Sequence, residues 1–320
     1  MSKELLSFVI PCYRSEKTIE SVVKEIIDTC AQKSDLYDYE IILVCDASPD
    51  NVWSVIKKLA ESNKKISGIC FSKNYGQHAA LMAGFRKTKG DMVVVLDDDG
   101  QCPLESLYDL LDSVHSGNDI VFARYSQKAV GLFRRMGTAI NKKMAEIMIE
   151  MPKNVDNTNF YVMKAFVAKE MVKYKHSYPY IGGLMTRTTR KFGNVDAVQR
   201  ARLEGKSGYT LGKLIALWIN GFTAFSVKPL RIATILGCLC AAAGFIAGIV
   251  FIIQKLLNPE VVLGFTTTIS VILFIGGLQM LMLGLIGEYI GRIYICINKS
   301  PQYVIREEVN TDNTMEAAEE

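Results

Sequence analysis

Three consecutive aspartates follow an apolar run in the segment VVVLDDDGQCP, which spans residues 93–103. In an extended chain alternate side chains share a face, so Asp97, Asp99 and Gln101 are expected to point together while Asp98 points away. Two carboxylates on one face repel each other unless a cation lies between them, and oxygen ligands of this kind suit Mg²⁺ or Mn²⁺. The pattern predicts a divalent metal site, with a solvated acidic turn as the alternative.

A further carboxylate, Asp46, also follows an apolar run and precedes Ser48, Pro49 and Asp50. It could accept a hydrogen bond from the imide N–H of a nucleobase, with Tyr13 available to stack on that base. The alternative is that Asp46 and Asp50 cap the next helix, as aspartate commonly does. The residues alone leave both interpretations open.

Strand and helix patterns alternate over the first 125 residues and must position these carboxylates. The predicted strands are residues 6–10, 40–44, 66–71, 92–96 and 119–123, and the predicted helices are residues 15–33, 50–63, 77–87 and 103–116. This alternation implies a parallel sheet covered on both faces, with ligands outside the carboxyl ends of its strands. No GxGxxG follows the first strand, which argues against a dinucleotide-binding oxidoreductase.

Two long runs without a charged residue, 232–253 and 261–287, follow in the last third of the chain. About 20 apolar residues suffice to cross a bilayer as a helix. Buried core helices are the alternative, but globular helices of this length carry a polar face. Two transmembrane helices are therefore predicted, in contact with a lipid bilayer.

Basic residues flank these runs and are scarce between them, which predicts their orientation. Both flanks are predicted to be cytoplasmic, with an outer turn at Asn258-Pro259. The predicted parts are a cytoplasmic catalytic domain at 1–206, amphipathic juxtamembrane helices at 207–228, a transmembrane hairpin at 229–290 and a cytoplasmic tail at 291–320. The tail is acidic from residue 307 and is expected to be disordered. The basic residues are Lys213, Lys228 and Arg231 before, Arg292, Lys299 and Arg306 after, and Lys255 between.

The remaining composition excludes several classes of protein. A net charge of +4 is too small to predict nucleic-acid binding, and the N-terminal residues do not form a signal peptide. Eight cysteines show neither a CxxC pair nor metal-ligand spacing, so they are interpreted as reduced structural thiols. Basic amphipathic segments at 131–151 and 209–225 could lie in the membrane interface. For 131–151, packing on its own domain is the equal alternative.

Several segments, in this order, resemble the signatures of family-2 glycosyltransferases: VIPCYRSEKTI, VCDASPD, SKNYGQHAALMAG and LDDDGQCP. The later segments RLEGKSGYTLGKL, FSVKPLR and GEYIGRIY resemble the polyprenyl-phosphate branch of that family. The resemblance covers nearly all of residues 5–305. It implies an α/β GT-A (nucleotide-diphospho-sugar transferase) Rossmann-like domain followed by two transmembrane helices.

The resemblance also implies roles for individual residues. Pro11, Tyr13 and Asp46 would line the nucleoside pocket together with Asn74. Asp97 would face the nucleotide and share a metal site with Asp99 and Gln101, which would hold the Mg²⁺ or Mn²⁺. The sequence departs from the family pattern at two positions: Cys45 stands where the family often has an acidic residue, and Gly208 where many relatives have a lysine, with Lys206 two residues earlier.

The expected reaction is inverting transfer of a sugar from a nucleotide-sugar donor, UDP-linked, to polyprenyl phosphate at the cytoplasmic face of the inner membrane. Undecaprenyl phosphate is the expected acceptor, and the product serves cell-envelope glycan modification. A hydroxyl acceptor needs a general base, and residues 140–200 contain no Glu-Asp pair of the kind hydroxyl-acceptor relatives use. A phosphate is already dianionic and needs cations instead, which Arg124, Arg134, Arg202 and Lys206 would supply.

Three matters stay open at this level. The four basic residues could be ordinary solvated surface charges. The chain could instead transfer sugar to a hydroxyl, as a polysaccharide glycosyltransferase does, or be a non-catalytic membrane-anchored subunit. Assembly into a homo-oligomer is compatible with the sequence.

Overall fold

An eight-stranded sheet lies at the centre of the first of two units in the computed structural model. That unit comprises Met1–Thr210 and Lys299–Glu320, and the second comprises Leu211–Asn298. The structure describes residues 3–125, 146, 150–198, 200, 228–258, 265–298 and 300–311. The predicted segments 131–151 (apart from 146, 150 and 151) and 209–225, the juxtamembrane helices up to residue 227, and Pro259 of the predicted outer turn lie outside these residues.

The order of strands in the sheet is β7-β5-β6-β4-β1-β2-β3-β8. Strands β1, β2, β3 and β4 are parallel, and each contains most of a predicted strand. The sheet as a whole is mixed rather than parallel, because β6 runs antiparallel between β4 and β5, and β8 runs antiparallel to β3. The strands are β1 Glu4–Cys12, β2 Tyr37–Cys45, β3 Ile66–Phe71, β4 Met92–Val95, β5 Ile120–Tyr125, β6 Tyr161–Lys164, β7 Phe192–Ala197 and β8 Ile305–Val309.

Four helices alternate with the first five strands, as predicted, and two more follow β6. The predicted helix at 103–116 is divided into a short 3₁₀ helix, Leu104–Ser106, and α4. Gly84 lets α3 approach β1 closely, since a Cβ there would lie 2.3 Å from Val9 Cγ1. The helices are α1 Ile19–Gln32, α2 Val52–Ser62, α3 Gln77–Lys87, α4 Leu107–His115, α5 Ala165–Met171 and α6 Ile181–Thr188.

The core of the first unit is formed by apolar strand residues and by the inward faces of these helices. Phe8, Leu43 and Val94 are fully buried at the centre of the sheet, and Ile26 and Ile56 pack onto it from α1 and α2. The cysteines with a described side chain have free thiols: Cys12, Cys30, Cys45, Cys70, Cys102, Cys238 and Cys240. Burial raises the pKa of Cys45 to about 12, so this thiol stays protonated and unreactive at neutral pH.

The second unit contains two long helices, α7 Lys228–Leu257 and α8 Phe265–Ile297. Each contains an apolar window of 18 residues, Ala233–Val250 and Phe274–Gly291, with mean hydropathies of 2.2 and 1.4. No residue described in either window is buried, unlike the residues of a globular core helix. Both helices are therefore long and apolar enough to cross a membrane.

The described part of the predicted disordered tail, residues 307–311, is ordered, and residues 312–320 of that prediction lie outside the described residues. Residues 300–311 belong to the first unit, and Ile305–Val309 forms β8 on the edge of the sheet beside β3. The acidic composition was misleading because the carboxylates have partners: Glu307 lies 3.6 Å from Lys57, and Glu308 lies 3.1 Å from Lys87. An acidic segment whose charges are paired can form a strand.

Candidate functional site

The loops that carry the predicted site residues leave the sheet on the same side, at the carboxyl ends of its parallel strands. Cys12 lies opposite Cys45, and Cys45 lies opposite Cys70, so β1, β2 and β3 end level with one another. Tyr13, Asp46 and Ser72 follow these strand ends directly. Asp97 follows β4 two residues after its last residue, at the same edge. The parallel arrangement therefore brings together the segments that sequence analysis singled out.

Asp46 is buried and holds the loop that precedes α3. Its Oδ1 accepts a hydrogen bond from the N–H of Tyr75 at 2.6 Å, and its Oδ2 accepts one from Gly76 at 2.8 Å. The Asn74 amide donates to the Asp46 carbonyl oxygen at 3.2 Å. Burial raises the pKa of Asp46, against the two N–H donors, which act to lower it. Asp46 thus does not cap α2.

Asp50 links the loop after β1 to the start of α2. Its Oδ1 accepts a hydrogen bond from the Ser48 hydroxyl at 2.6 Å and one from the N–H of Val52, the first residue of α2, at 3.5 Å. Its Oδ2 accepts a hydrogen bond from the N–H of Glu16 at 2.9 Å. Asn51 is the N-cap residue of α2 and makes no side-chain capping bond, so Asp50 contacts the first turn of α2 without being its cap, and Asp46 makes no hydrogen bond to that turn.

Adjacent aspartates of the triplet face different partners. Asp97 accepts hydrogen bonds from the side-chain amides of Gln77 at 3.0 Å and Asn159 at 2.8 Å. The Asp98 carboxylate instead accepts the N–H of Tyr13 at 2.9 Å, and burial raises its pKa. Asp98 therefore has a partner different from those of Asp97, and residues 98 and 99 lie in a turn rather than in the extended chain that the prediction assumed.

Asp99 and Gln101 lie in the turn that follows. The Asp99 Oδ1 accepts the N–H of Gln101 at 3.1 Å, which closes the turn around Gly100 at φ 73°. The Gln101 amide nitrogen donates to the Arg200 carbonyl at 3.2 Å, and the Arg200 N–H donates to the Gln101 carbonyl at 3.2 Å. Arg200 is itself paired with Glu25 at 2.6 Å. The turn is thus joined to the segment that precedes Arg202.

The donor set for a divalent cation consists of oxygen ligands on this turn. Asp97, Asp99 and Gln101 offer carboxylate and amide oxygens, which suit Mg²⁺ or Mn²⁺. Within the described ranges no group of three or more His, Cys, Asp or Glu residues could hold a metal by itself. The residues fit a cation that is held by one or two carboxylates and by the phosphates of a substrate.

The remaining nucleoside-pocket residues differ in accessibility. Tyr13 is 44% exposed, so its ring is available for stacking, and the guanidinium of Arg14 lies 5.5 Å from its centroid. Pro11 is buried within β1, opposite Val44 of β2. Pro11 therefore shapes the floor of this edge, whereas Tyr13 can contact a ligand directly.

Arg124 is surrounded by acceptors at the end of β5. Its Nε lies 3.2 Å from Asp156 Oδ2, and its Nη1 lies 3.7 Å from Asp196 Oδ1. Its Nη2 donates to the Asn154 carbonyl at 3.0 Å and to the Asn194 side chain at 3.2 Å. Asp156 and Asp196, which appeared isolated in the sequence, therefore share one cation.

Three other predicted phosphate contacts, Arg134, Arg202 and Lys206, lie outside the described residues. Sequence reasoning missed Gln77 and Asn159, which hold Asp97, and Arg200, which holds the Gln101 turn. Gln77 belongs to the SKNYGQHAALMAG segment, so its place at the start of α3 could have indicated a role. Asn159 carried no signal, because it precedes the short strand β6 that was not predicted.

Comparison with known proteins extends over nearly the whole chain. Glycosyl transferase family 2 matches residues 7–172, and a family described as the GtrB C-terminal hairpin matches residues 228–293. A prophage bactoprenol glucosyl transferase homolog of Escherichia coli is 31% identical over 302 residues, which are 94% of this chain and 98% of that protein. An undecaprenyl-phosphate 4-deoxy-4-formamido-L-arabinose transferase of Photorhabdus laumondii is 29% identical over 318 residues, 98% of this chain and 97% of that protein.

Among solved structures, the chain is similar to glucosyl-3-phosphoglycerate synthase from Mycobacterium tuberculosis in complex with Mn²⁺ and UDP-Glc. The two are 19% identical in sequence and have a TM-score of 0.49, and the match covers 73% of this chain and 78% of that one. The family match from residue 7 to residue 172 contains most of β1, the whole of β2–β6 and every described candidate residue except Arg200. Together with the sheet order it confirms the predicted GT-A fold.

Proposed function

The chain belongs to glycosyl transferase family 2, and we propose that it transfers a sugar from a nucleotide sugar to a polyprenyl phosphate. The observation that carries the proposal is the end-to-end similarity to bactoprenol and undecaprenyl-phosphate sugar transferases, which includes both the catalytic domain and the hairpin. A likeness confined to the catalytic domain would support sugar transfer alone. Similarity through α7 and α8 supports a lipid-linked acceptor.

The donor base is proposed to lie between Tyr13 and Asp46. Tyr13 offers an exposed ring, and Asn74 lies beside Asp46, while Pro11 forms part of the strand beneath. A carboxylate has about four lone-pair sites, so Asp46 can accept an imide N–H in addition to the two backbone N–H groups that it already binds. Uracil and guanine both carry such a ring N–H, and a UDP-linked sugar is the proposed donor.

The donor diphosphate is proposed to lie over the acidic turn. Asp97 would face the nucleotide, and Asp99 and Gln101 would hold Mg²⁺ or Mn²⁺ together with phosphate oxygens. When bound, the cation neutralises the charge that develops on the departing nucleoside diphosphate. Gln77 and Asn159 fix the Asp97 carboxylate without neutralising it, because both donate through uncharged amides. The turn keeps its negative charge for the cation.

The acceptor phosphate is proposed to attack without a general base and to be held by cations. Arg134, Arg202 and Lys206 are assigned to this contact. Arg124 can take part only where the phosphate competes with Asp156 and Asp196 for its guanidinium. The proposal therefore ranks Arg124 below the other three.

The proposed membrane topology rests on the chain order within the first unit. Residues before α7 and residues after α8 form one sheet, so an even number of membrane crossings must separate β7 from β8. If α7 and α8 both cross, the catalytic domain and the C-terminal strand lie on the same side. The positive flanks assign that side to the cytoplasm.

One experiment tests the reaction and separates it from the alternatives. The purified full-length protein is incubated with Mn²⁺, a panel of UDP- and GDP-linked sugars, and undecaprenyl phosphate, dolichyl phosphate or undecaprenol. Mass spectrometry of the lipid fraction should show one hexose-type addition on a polyprenyl phosphate and none on the free alcohol. Equal transfer to the alcohol would favour a hydroxyl acceptor, and no product with any donor would favour a non-catalytic subunit.

A further inference from the structure

The segment that follows α8 along the chain lies against the loop between β3 and α3. We call residues 300–311 the C-terminal strap and residues 72–76 the β3–α3 loop. Building on the proposed function, we propose that the strap is a positioning element of the nucleotide-sugar site and that Tyr303 is its main positioning residue. The strap acts through the loop and does not itself contact the substrate.

Backbone pairing carries the strap past the end of β3 and into the loop. The antiparallel pairing of β8 with β3 shifts register between Cys70 and Phe71. Beyond this shift, the N–H of Ser72 donates to the Val304 carbonyl at 2.9 Å. Ser72 is the first residue of the β3–α3 loop, so the strap fixes the point where the loop leaves the sheet.

An aromatic series continues from the strap to Asp46. The Tyr303 ring is stacked on the buried Phe71 ring at 5.0 Å between centroids, with an interplanar angle of 12°. The Tyr75 ring in turn packs edge-on against the Phe71 ring, with 5.7 Å between centroids and an interplanar angle of 85°. The N–H of Tyr75 is one of the two that bind the Asp46 carboxylate. Tyr303 therefore supports, through Phe71, the residue that orients Asp46.

The strap is anchored independently of the loop, which a positioning element requires. Gln302 is buried and donates to the His176 carbonyl at 2.9 Å. Glu308 forms a sheltered ion pair with Lys87 at 3.1 Å, and the Trp53 indole N–H donates to Glu307 at 2.8 Å. These contacts lie on α2, on α3 and on the segment before α6. The strap thus has fixed points on both sides of Tyr303.

The loop that it supports joins the two parts of the proposed donor site. Asp46 binds the loop at Tyr75 and Gly76, and the next residue, Gln77, donates to Asp97. A shift of the loop would therefore move both the base contact and the diphosphate contact. Such a shift would misalign the groups that hold the donor and so weaken its binding.

The test uses the full chain in detergent with three variants. Tyr303→Ala removes the ring that stacks on Phe71, and Tyr303→Phe restores it. Gly68→Ala is the matched destabilised control, because a Cβ there would lie 2.5 Å from Ile56 Cγ2 and 2.9 Å from Val309 Cγ1, at the other end of the β3–β8 pairing. It perturbs the strap without touching the loop.

Calorimetric titration with UDP and with GDP in the presence of Mn²⁺ measures the donor site without requiring transfer. Tyr303→Ala should weaken nucleotide binding and raise the donor KM about tenfold, with kcat at saturating donor and the acceptor KM nearly unchanged. Tyr303→Phe should bind as the original chain does, and Gly68→Ala should lower Tm without weakening nucleotide binding.

The outcomes separate this inference from the proposed function. If the original chain transfers no sugar but Tyr303→Ala still weakens nucleotide binding, the strap inference stands and the proposed reaction is rejected. Normal nucleotide binding by Tyr303→Ala, or equal weakening by Gly68→Ala and Tyr303→Ala, would reduce the strap to a structural element and overturn the inference. Failure of the original chain to bind either nucleotide would overturn both.

Discussion

Two regions at the carboxyl ends of the strands hold their carboxylates in opposite ways. We call the region beyond β2 and β4 the first end, and the region around the last residues of β5 and β7 the second end. Beyond β2 and β4, Asp46 and Asp97 are held by backbone N–H groups and side-chain amides, all uncharged donors. Around the last residues of β5 and β7, Asp196 of β7 and Asp156 of the segment before β6 lie against the guanidinium of Arg124, which belongs to β5. Uncharged donors orient a carboxylate and leave its charge available, whereas a guanidinium cancels it. The first end is thereby prepared to bind a cation and a nucleotide, whereas at the second end one guanidinium already offsets part of the charge of two carboxylates.

Removal of charge from the first end should have the largest effect. Asp99→Asn keeps the size of the side chain and removes the charge proposed to hold the metal. Because that charge acts on the departing diphosphate, transfer should fall by about a thousandfold. Transfer is measured by radiolabelled sugar incorporation into lipid, across a titration of Mn²⁺.

The control for this change is Asp109→Asn, which alters an exposed aspartate on α4 and should leave transfer unchanged. Full activity of Asp99→Asn, or undiminished activity of the original chain in excess chelator, would show that the charge of this turn is not used for a metal.

A second variant places a negative charge where an uncharged amide donor now orients Asp97. Asn159→Asp is nearly isosteric but replaces the amide that lies 2.8 Å from Asp97 with a carboxylate. Because groups that orient metal ligands typically contribute 10–100-fold, kcat/KM for the donor should fall by roughly that factor. The matched control is Asn157→Asp, also exposed and two residues earlier. Equal kinetics of the two variants would exclude a role for the amide of Asn159.

A third prediction uses pH to probe the helix that carries Gln77. Burial lowers the pKa of His78 to about 4, so the native state keeps this ring neutral while the unfolded chain protonates it near pH 6.5. The unfolded state therefore binds more protons below pH 6.5, and stability should fall by about 2 kcal/mol between pH 7 and pH 5. Chemical denaturation at the two pH values measures this fall, and His78→Gln should reduce it. An unchanged fall in His78→Gln would assign it to other groups.

The sequence was sufficient to predict the parallel strands β1–β4 and the site residues at their carboxyl ends. It was insufficient to predict the other strands, for physical reasons. Strands β1–β4 are apolar runs separated by amphipathic helices, so local periodicity identifies them, and the strand ends place Tyr13, Asp46 and Asp97 together. Strand β6 has four residues and no pattern of its own, so Asn159 was missed. Strand β8 is acidic and is stabilised by partners such as Lys87, which lies 221 residues away along the chain. No local signal encodes such a pair.

The same limit applies to charge pairing at the second end. Arg124 was predicted as a phosphate contact because an arginine follows a strand near basic neighbours. Asp156 and Asp196, 32 and 72 residues later, gave no sign of facing it. Sequence reasoning can find a charge at a strand end, but only the fold shows whether that charge is already paired.

The smallest predicted effect tests this pairing directly. If the guanidinium of Arg124 is neutralised by its two aspartates, Arg124→Ala should act mainly on stability. The side chain of Arg124 is 40% exposed, so solvent screens the pairing and the free energy of unfolding should fall by only about 1 kcal/mol. The acceptor KM should rise by no more than about threefold, since the proposed phosphate contacts lie elsewhere. Asp156→Ala removes one partner and supplies the control: it frees part of the guanidinium, so it should lower the acceptor KM or leave it unchanged. In a double-mutant cycle the two changes should couple in stability and not in transfer. Loss of transfer in Arg124→Ala without loss of stability would show that the phosphate displaces the aspartates, and the two ends of the edge would then both bind substrate.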